Sequence, residues 1–183
     1  MPPSQPTKRR GSLRLRHFDY ATPGAYFVTL CTWGRRSLFG RISNGEMHLN
    51  ALGDIVRACW LELPVHYPDI VLDVFVVMPN HFHGVVILPG AAGTGLKPAP
   101  TRGAILSTTS LPEIVRALKT FTSRQIHTLS GKQGLLVWQR NYYDRIVRND
   151  RELLAIQEYI LNNPAKWEFD RDNPARRILP ALT

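Results

Sequence analysis

At 183 residues and 44% hydrophobic content, the chain can fill one core well and two only marginally. Its 23 Lys and Arg against 14 Asp and Glu give a formal charge of +9 and a pI near 10.1, which favours a polyanionic partner, either nucleic acid or an anionic membrane surface. Two cysteines, Cys31 and Cys59, with no CxxC pair exclude a disulfide scaffold and point to a reduced, cytoplasmic setting. No apolar run approaches the ~18 residues of a membrane span, and no apolar stretch follows the basic N-terminus as it would in a signal peptide; no membrane partner is expected.

Residues 1–16 are rich in Pro, Ser and Arg, can bury little, and read as a mobile basic arm that includes Arg14 and Arg16. A single domain is expected over 17–170, followed by a basic tail, 171–183. Within the domain, YFVTLCTW (26–33) is dense in β-formers and follows Pro23-Gly24, which predicts a strand. Leu52, Ile55, Val56, Cys59, Trp60 and Leu63 recur at helical spacing up to Pro64, predicting an amphipathic helix. VLDVFVVM (71–78) and HGVVIL (83–88) flank Pro79-Asn80 and should pair as an antiparallel hairpin. Residues 90–110, poor in periodicity and rich in Gly, Ala and Pro, read as a flexible loop.

Ser110 with Glu113 has capping-box spacing and opens a second helix, with Ile114, Val115, Leu118, Phe121, Ile126 and Leu129 on one face and Arg116, Lys119, Arg124 and His127 on the other. LVWQRNYYDRIVR (136–148) reads as a fourth strand, and Asn149 with Glu152 opens a third helix that ends around Asn163, before Pro164. The order β-α-β-β-α-β-α is a ferredoxin-like βαββαβ pattern plus a C-terminal helix: an α+β fold with a four-stranded antiparallel sheet, helices on one face, and the other face free for a ligand.

Alternation along a strand puts His81 and His83 on one side and Phe82 on the other. Two neutral imidazoles so placed form a compact metal site that needs further ligands from elsewhere; standing alone, a His-x-His pair on a half-exposed strand can equally be inert. Tyr159 and Asn163, four apart, share a face of the last helix beside the stripe of Leu153, Ile156 and Ile160. If that face meets the histidines, it offers a nucleophile and an amide oxygen; otherwise both are ordinary helix residues.

The segments PGAYFVTLCTWGRRSLFGRI, DVFVVMPNHFHGVVIL, IVRALKTFTSRQI and VWQRNYYDRIVRNDRELLAIQEYILNNPAKW resemble the REP-associated tyrosine transposases, members of the HUH single-strand DNA nucleases, over about Tyr20 to Trp167. His81-Phe82-His83 fits the motif of two histidines around a bulky hydrophobic residue. The resemblance implies that His81 and His83, with Asn163, bind Mg²⁺ or Mn²⁺, and that Tyr159 is the nucleophile. It also implies a single-stranded DNA hairpin of REP type as substrate, cut and rejoined through a 5′-phosphotyrosine.

Phosphate contacts are expected from Arg116, Lys119, Arg124 and Arg140 and from Arg14 and Arg16 of the arm. Trp33, Trp138 and Tyr142 are candidate stacking residues, and Tyr142 and Tyr143 are rival tyrosines placed in a strand rather than on the helix. A monomer is expected, a dimer being the alternative. The competing functions are a non-catalytic module that holds single-stranded nucleic acid, and a phosphodiesterase using the histidines on a small nucleotide.

Overall fold

The β-branched and aromatic run between Pro23 and Thr32 forms β1 (Gly24–Cys31), an inner strand of a four-stranded sheet completed by β4 (Val71–Met78), β5 (His81–Leu88) and β6 (Tyr143–Val147). The computed structural model describes residues 19–88, 109–170 and 172–174; the basic arm with Arg14 and Arg16, nearly all of the 90–110 loop and most of the tail lie outside these. Strand order is β4-β5-β1-β6 with every neighbouring pair antiparallel, the ferredoxin-like arrangement that the element order implies. The β4–β5 hairpin turns on Pro79-Asn80 and pairs Met78 with His81. The turn is clasped from outside: the Pro79 carbonyl accepts from the Leu38 and Phe39 amides at 2.8 and 3.0 Å.

Helices α1 (Ala51–Leu61) and α3 (Leu111–Ser130) cover one face of the sheet. Val56, Cys59 and Trp60 of α1 and Leu111, Ile114, Leu118 and Ile126 of α3 meet Tyr26, Val28, Leu30, Phe82 and Val86 in the main core. Close approach there depends on Gly84, where an added Cβ would stand 2.8 Å from the Phe82 ring and 2.9 Å from that of Trp60. Pro64 does not end the helical stretch; it sits in the first turn of a short α2 (Leu63–His66), where a missing amide hydrogen costs nothing. Ser110 is the N-cap of α3 but its side chain makes no capping bond, and Leu129, in the last turn, is exposed rather than packed.

The expectation that the opposite face stands free for a ligand is corrected in part. Helix α4 (Asp150–Leu161) lies on it, burying Ile156 and Ile160 against Ala25, Val85 and Val147. The Asn149 side chain caps α4 by accepting from the Glu152 amide, while the Glu152 carboxylate accepts from the Arg148 amide. Such paired caps satisfy donors that the first turn leaves open. In mid-helix, Gln157 donates to Asp73 on β4 at 2.7 Å.

Two further differences have local causes. A hairpin of β2 (Gly40–Ser43) and β3 (Glu46–Leu49) precedes α1; its signal is Asn44-Gly45, both at positive φ (52° and 75°), the preference of a tight primed turn. The last sheet strand starts at Tyr143 rather than Leu136, because Val137 and Trp138 turn into the core instead of extending the ladder. Trp138 makes only an isolated bridge with Thr32 and donates its indole N–H to Thr122. Trp138 and Tyr142 are therefore buried and unavailable for stacking, whereas Trp33 is about half exposed. Among the described residues no helix is long and apolar enough to cross a membrane, and both cysteines are buried and unbridged.

Candidate active site between the histidine strand and the last helix

The register of the sheet assembles the site. Thr29 on β1 pairs with His83 on β5 and with Tyr143 on β6, so the three side chains form one row on the α4 face, and Phe82 points the other way into the main core. His81 lies two residues nearer the turn, its ring centroid 4.6 Å from that of His83. Helix α4 crosses this end of the face. The Tyr159 hydroxyl reaches 3.4 Å from His83 Nε2, and the two rings are 5.3 Å apart. Phe27 stacks on His83 and meets Tyr159 edge-on, fixing both rings.

Each imidazole is held through its other nitrogen. His83 Nδ1 is 2.8 Å from Thr29 Oγ1, and His81 Nδ1 is 2.9 Å from Asn80 Oδ1. Both rings are buried. Burial, with His81 as neighbour, holds the His83 pKa well below its ordinary value. For His81 burial also dominates and lowers the pKa, opposed by Asp170, Asp172 and Asn163 and reinforced by Arg35. Both rings are thus neutral near pH 7, the state in which an imidazole nitrogen can bind a cation.

Asn163 is buried just past the end of α4, near enough to favour the charged form of His81. No hydrogen bond of good geometry joins the two, however, and both Asn163 Oδ1 and His81 Nε2 are buried without a partner. Buried polar atoms are rarely left so, and this nitrogen and oxygen, with His83 Nε2 on the neighbouring ring, make a donor set that a cation could use. Among the described residues no group of three His, Cys, Asp or Glu side chains is placed to hold a metal. An ion here would be bound by His81, His83 and the Asn163 oxygen, with oxygens from outside the chain; hard cations accept such a mixed set.

Tyr159, itself about half exposed, opens onto a cleft of about 490 Å³ that is also lined by Thr29, Tyr143, Arg35, Arg145, Asp170 and Asp172. Arg35 is ion-paired with Asp172, and Arg145 with Glu152. Sequence reasoning placed none of Thr29, Asn80, Arg35, Arg145, Asp170 or Asp172 in a site. Thr29 is recoverable only from sheet register, and Asn80 reads as a turn residue. Tyr142 is buried away from the cleft, whereas Tyr143 is 44% exposed on it.

The predicted phosphate-binding cations are placed differently. Arg116 and Arg124 are exposed on α3, in the layer on the far side of the sheet from the histidines, and Arg140 is exposed in the loop before β6. Lys119 donates to the carbonyls of Gln139 and Asn141 at 2.9 and 3.0 Å and lies 5.7 Å from the Tyr142 ring centre, contacts that fasten this loop to α3.

No protein-family model matches the chain. A Haemophilus influenzae protein described as uncharacterized is 37% identical over 165 residues, covering 88% of this chain and 92% of that one. A provisionally named REP-associated tyrosine transposase from the same organism is 24% identical over 152 residues, 82% of this chain and 76% of its own length. Among solved structures, a REP-associated tyrosine transposase bound to a REP hairpin superposes with a TM-score of 0.57 at 18% identity, over 91% of this chain and 88% of that chain; at that identity the likeness establishes the fold. The chain is in one family with the 37%-identical protein, and it is similar in sequence to one REP-associated tyrosine transposase and in fold to another.

Proposed function

We propose that the chain is a metal-dependent single-stranded DNA endonuclease and strand transferase that acts on REP-type hairpins through Tyr159. The observation that carries this reading is the position of the Tyr159 hydroxyl, 3.4 Å from the Nε2 of His83, whose ring in turn lies 4.6 Å from that of His81. His81, His83 and Asn163 would hold Mg²⁺ or Mn²⁺, and the ion would supply withdrawal of charge from a non-bridging oxygen of the scissile phosphate.

Tyr159 provides the nucleophile. Its oxygen attacks phosphorus in line, the bond to the departing 3′ oxygen breaks and that oxygen takes a proton from water, and the phenolic proton passes to water reaching the open side of the ring. The products are a 5′-phosphotyrosine and a free 3′-OH. The ester conserves the phosphodiester linkage, so another 3′-OH can displace the tyrosine and rejoin DNA, which attack by water would not permit. Phe27 and the Gln157–Asp73 bond restrain the ring and helix that present the hydroxyl. The charge of +9 supports a polyanionic substrate, and the hairpin bound to the structural neighbour supports its form.

The test uses purified protein, Mn²⁺ and a labelled hairpin oligonucleotide, resolved on a denaturing gel. A protein-linked DNA band is expected from the wild type and none from Tyr159→Phe or His81→Ala. An adduct that survives Tyr159→Phe moves the nucleophile elsewhere; nicking without adduct indicates hydrolysis, and binding without cleavage indicates a non-catalytic module.

A further inference from the structure

We propose that Asn80, the second residue of the hairpin turn, is a positioning residue: it fixes His81 in the tautomer that leaves Nε2 bare toward Asn163, and it ties that choice to the segment after α4. This rests on the reading of His81 as a cation ligand, but its central claim concerns a proton and can be tested without any ion.

The neighbours of the Asn80 amide decide which of its ends is nitrogen. One end lies 2.7 Å from the Asp172 carbonyl oxygen and 3.1 Å from the Arg35 carbonyl oxygen. Carbonyls only accept, so the NH₂ group must occupy that end. The amide oxygen therefore faces His81 Nδ1, 2.9 Å away. An amide oxygen also only accepts, so in the neutral ring Nδ1 must carry the hydrogen and Nε2 the lone pair. The other tautomer would set two lone pairs against each other inside a residue pair that is 1% exposed on each side, out of reach of bulk solvent.

His83 has no such arbiter. Its Nδ1 partner is the Thr29 hydroxyl, which can donate or accept and so does not dictate a tautomer. Asn80 is held more firmly than a turn residue needs to be. Its own carbonyl accepts from the Thr32 amide at 2.9 Å and lies 3.0 Å from the Thr32 hydroxyl, whose one hydrogen it shares with the Arg36 carbonyl at 2.8 Å. The two carbonyls that fix its amide come from separate stretches of chain, the left-handed residue Arg35 (φ 54°) and Asp172, which are themselves ion-paired. Docking of the segment around Asp172 is thus coupled, through one amide, to the readiness of His81 Nε2.

The experiment is long-range proton–nitrogen correlation on the full chain labelled with ¹⁵N-histidine, without metal. His81 is expected as the Nδ1–H tautomer in the wild type and in Asn163→Ala, and is expected to lose that preference in Asn80→Ala. Mn²⁺ affinity in Asn80→Ala should fall roughly 10- to 100-fold, the range seen when an orienting partner of a ligand is removed. An Nε2–H tautomer in the wild type overturns the proposal, as does a folded Asn80→Ala that keeps Nδ1–H. Should Asn80→Ala fail to fold, Asn80→Asp carries the test: a carboxylate acceptor must move the His81 Nδ1–H proton resonance downfield, and an unmoved resonance overturns the assignment. A wild type that binds no Mn²⁺ while the tautomer still follows residue 80 removes the metal reading and leaves this one standing.

Discussion

The two faces of the same four strands do different work. Under α1 and α3 the inward residues form a mainly apolar layer, with Tyr26, Leu30 and Phe82 fully buried. Under α4 the apolar contact is smaller, centred on Ala25, Val85, Val147, Ile156 and Ile160, and toward the hairpin turn it gives way to His81, His83, Thr29 and Tyr143. Neighbouring residues of one strand are thus assigned to stability or to chemistry by alternation alone. Phe82 anchors β5 in the large core, and the histidines on either side of it are held in place by that anchor.

Substitutions can break this division in graded order. Phe82→Ala empties the middle of the main core and should cost about 3–5 kcal/mol, read as a lowered midpoint in urea with the slope unchanged; a loss below about 1 kcal/mol would mean that the α4 face carries more of the stability than its contacts suggest. Gly84→Ala inserts a methyl group between the Phe82 and Trp60 rings and should cost about 1–3 kcal/mol by the same measurement. Tyr159→Phe, which removes a half-exposed hydroxyl whose contact with His83 Nε2 is long at 3.4 Å, should leave stability within about 0.5 kcal/mol while abolishing the DNA adduct. A large stability change there would show that Tyr159 belongs to the packing of α4.

Much of this organisation is legible in the sequence because it depends on short periods. The β4–β5 hairpin, the shared side of His81 and His83, and the pairing of Tyr159 with Asn163 on one helical face follow from spacings of two and four residues. What stays illegible depends on register and on chain crossings. Nothing local places Thr29 opposite His83, or brings Asp172 to Asn80 across 92 residues. The position of α4 on the free face was unreadable for the same reason, since an amphipathic helix declares that it has an apolar stripe and not which sheet face receives it. Trp138 reads as strand because its composition is right for one, yet a hydrogen bond to Thr122 and burial under α3 decide its fate. The β2–β3 hairpin is a different case: Asn44-Gly45 is a local signal, and it was present to be read.

The two-residue turn at Pro79-Asn80, gripped by the Leu38 and Phe39 amides, has an effect beyond topology. Because side chains swap sides at every step, a slip of β5 by a single position would drive both imidazoles inward and swing Phe82 out over the cleft. Hairpin alignment is here a chemical variable, and the grip on one proline carbonyl helps decide whether the strand presents nitrogen donors or a benzene ring on the α4 side of the sheet.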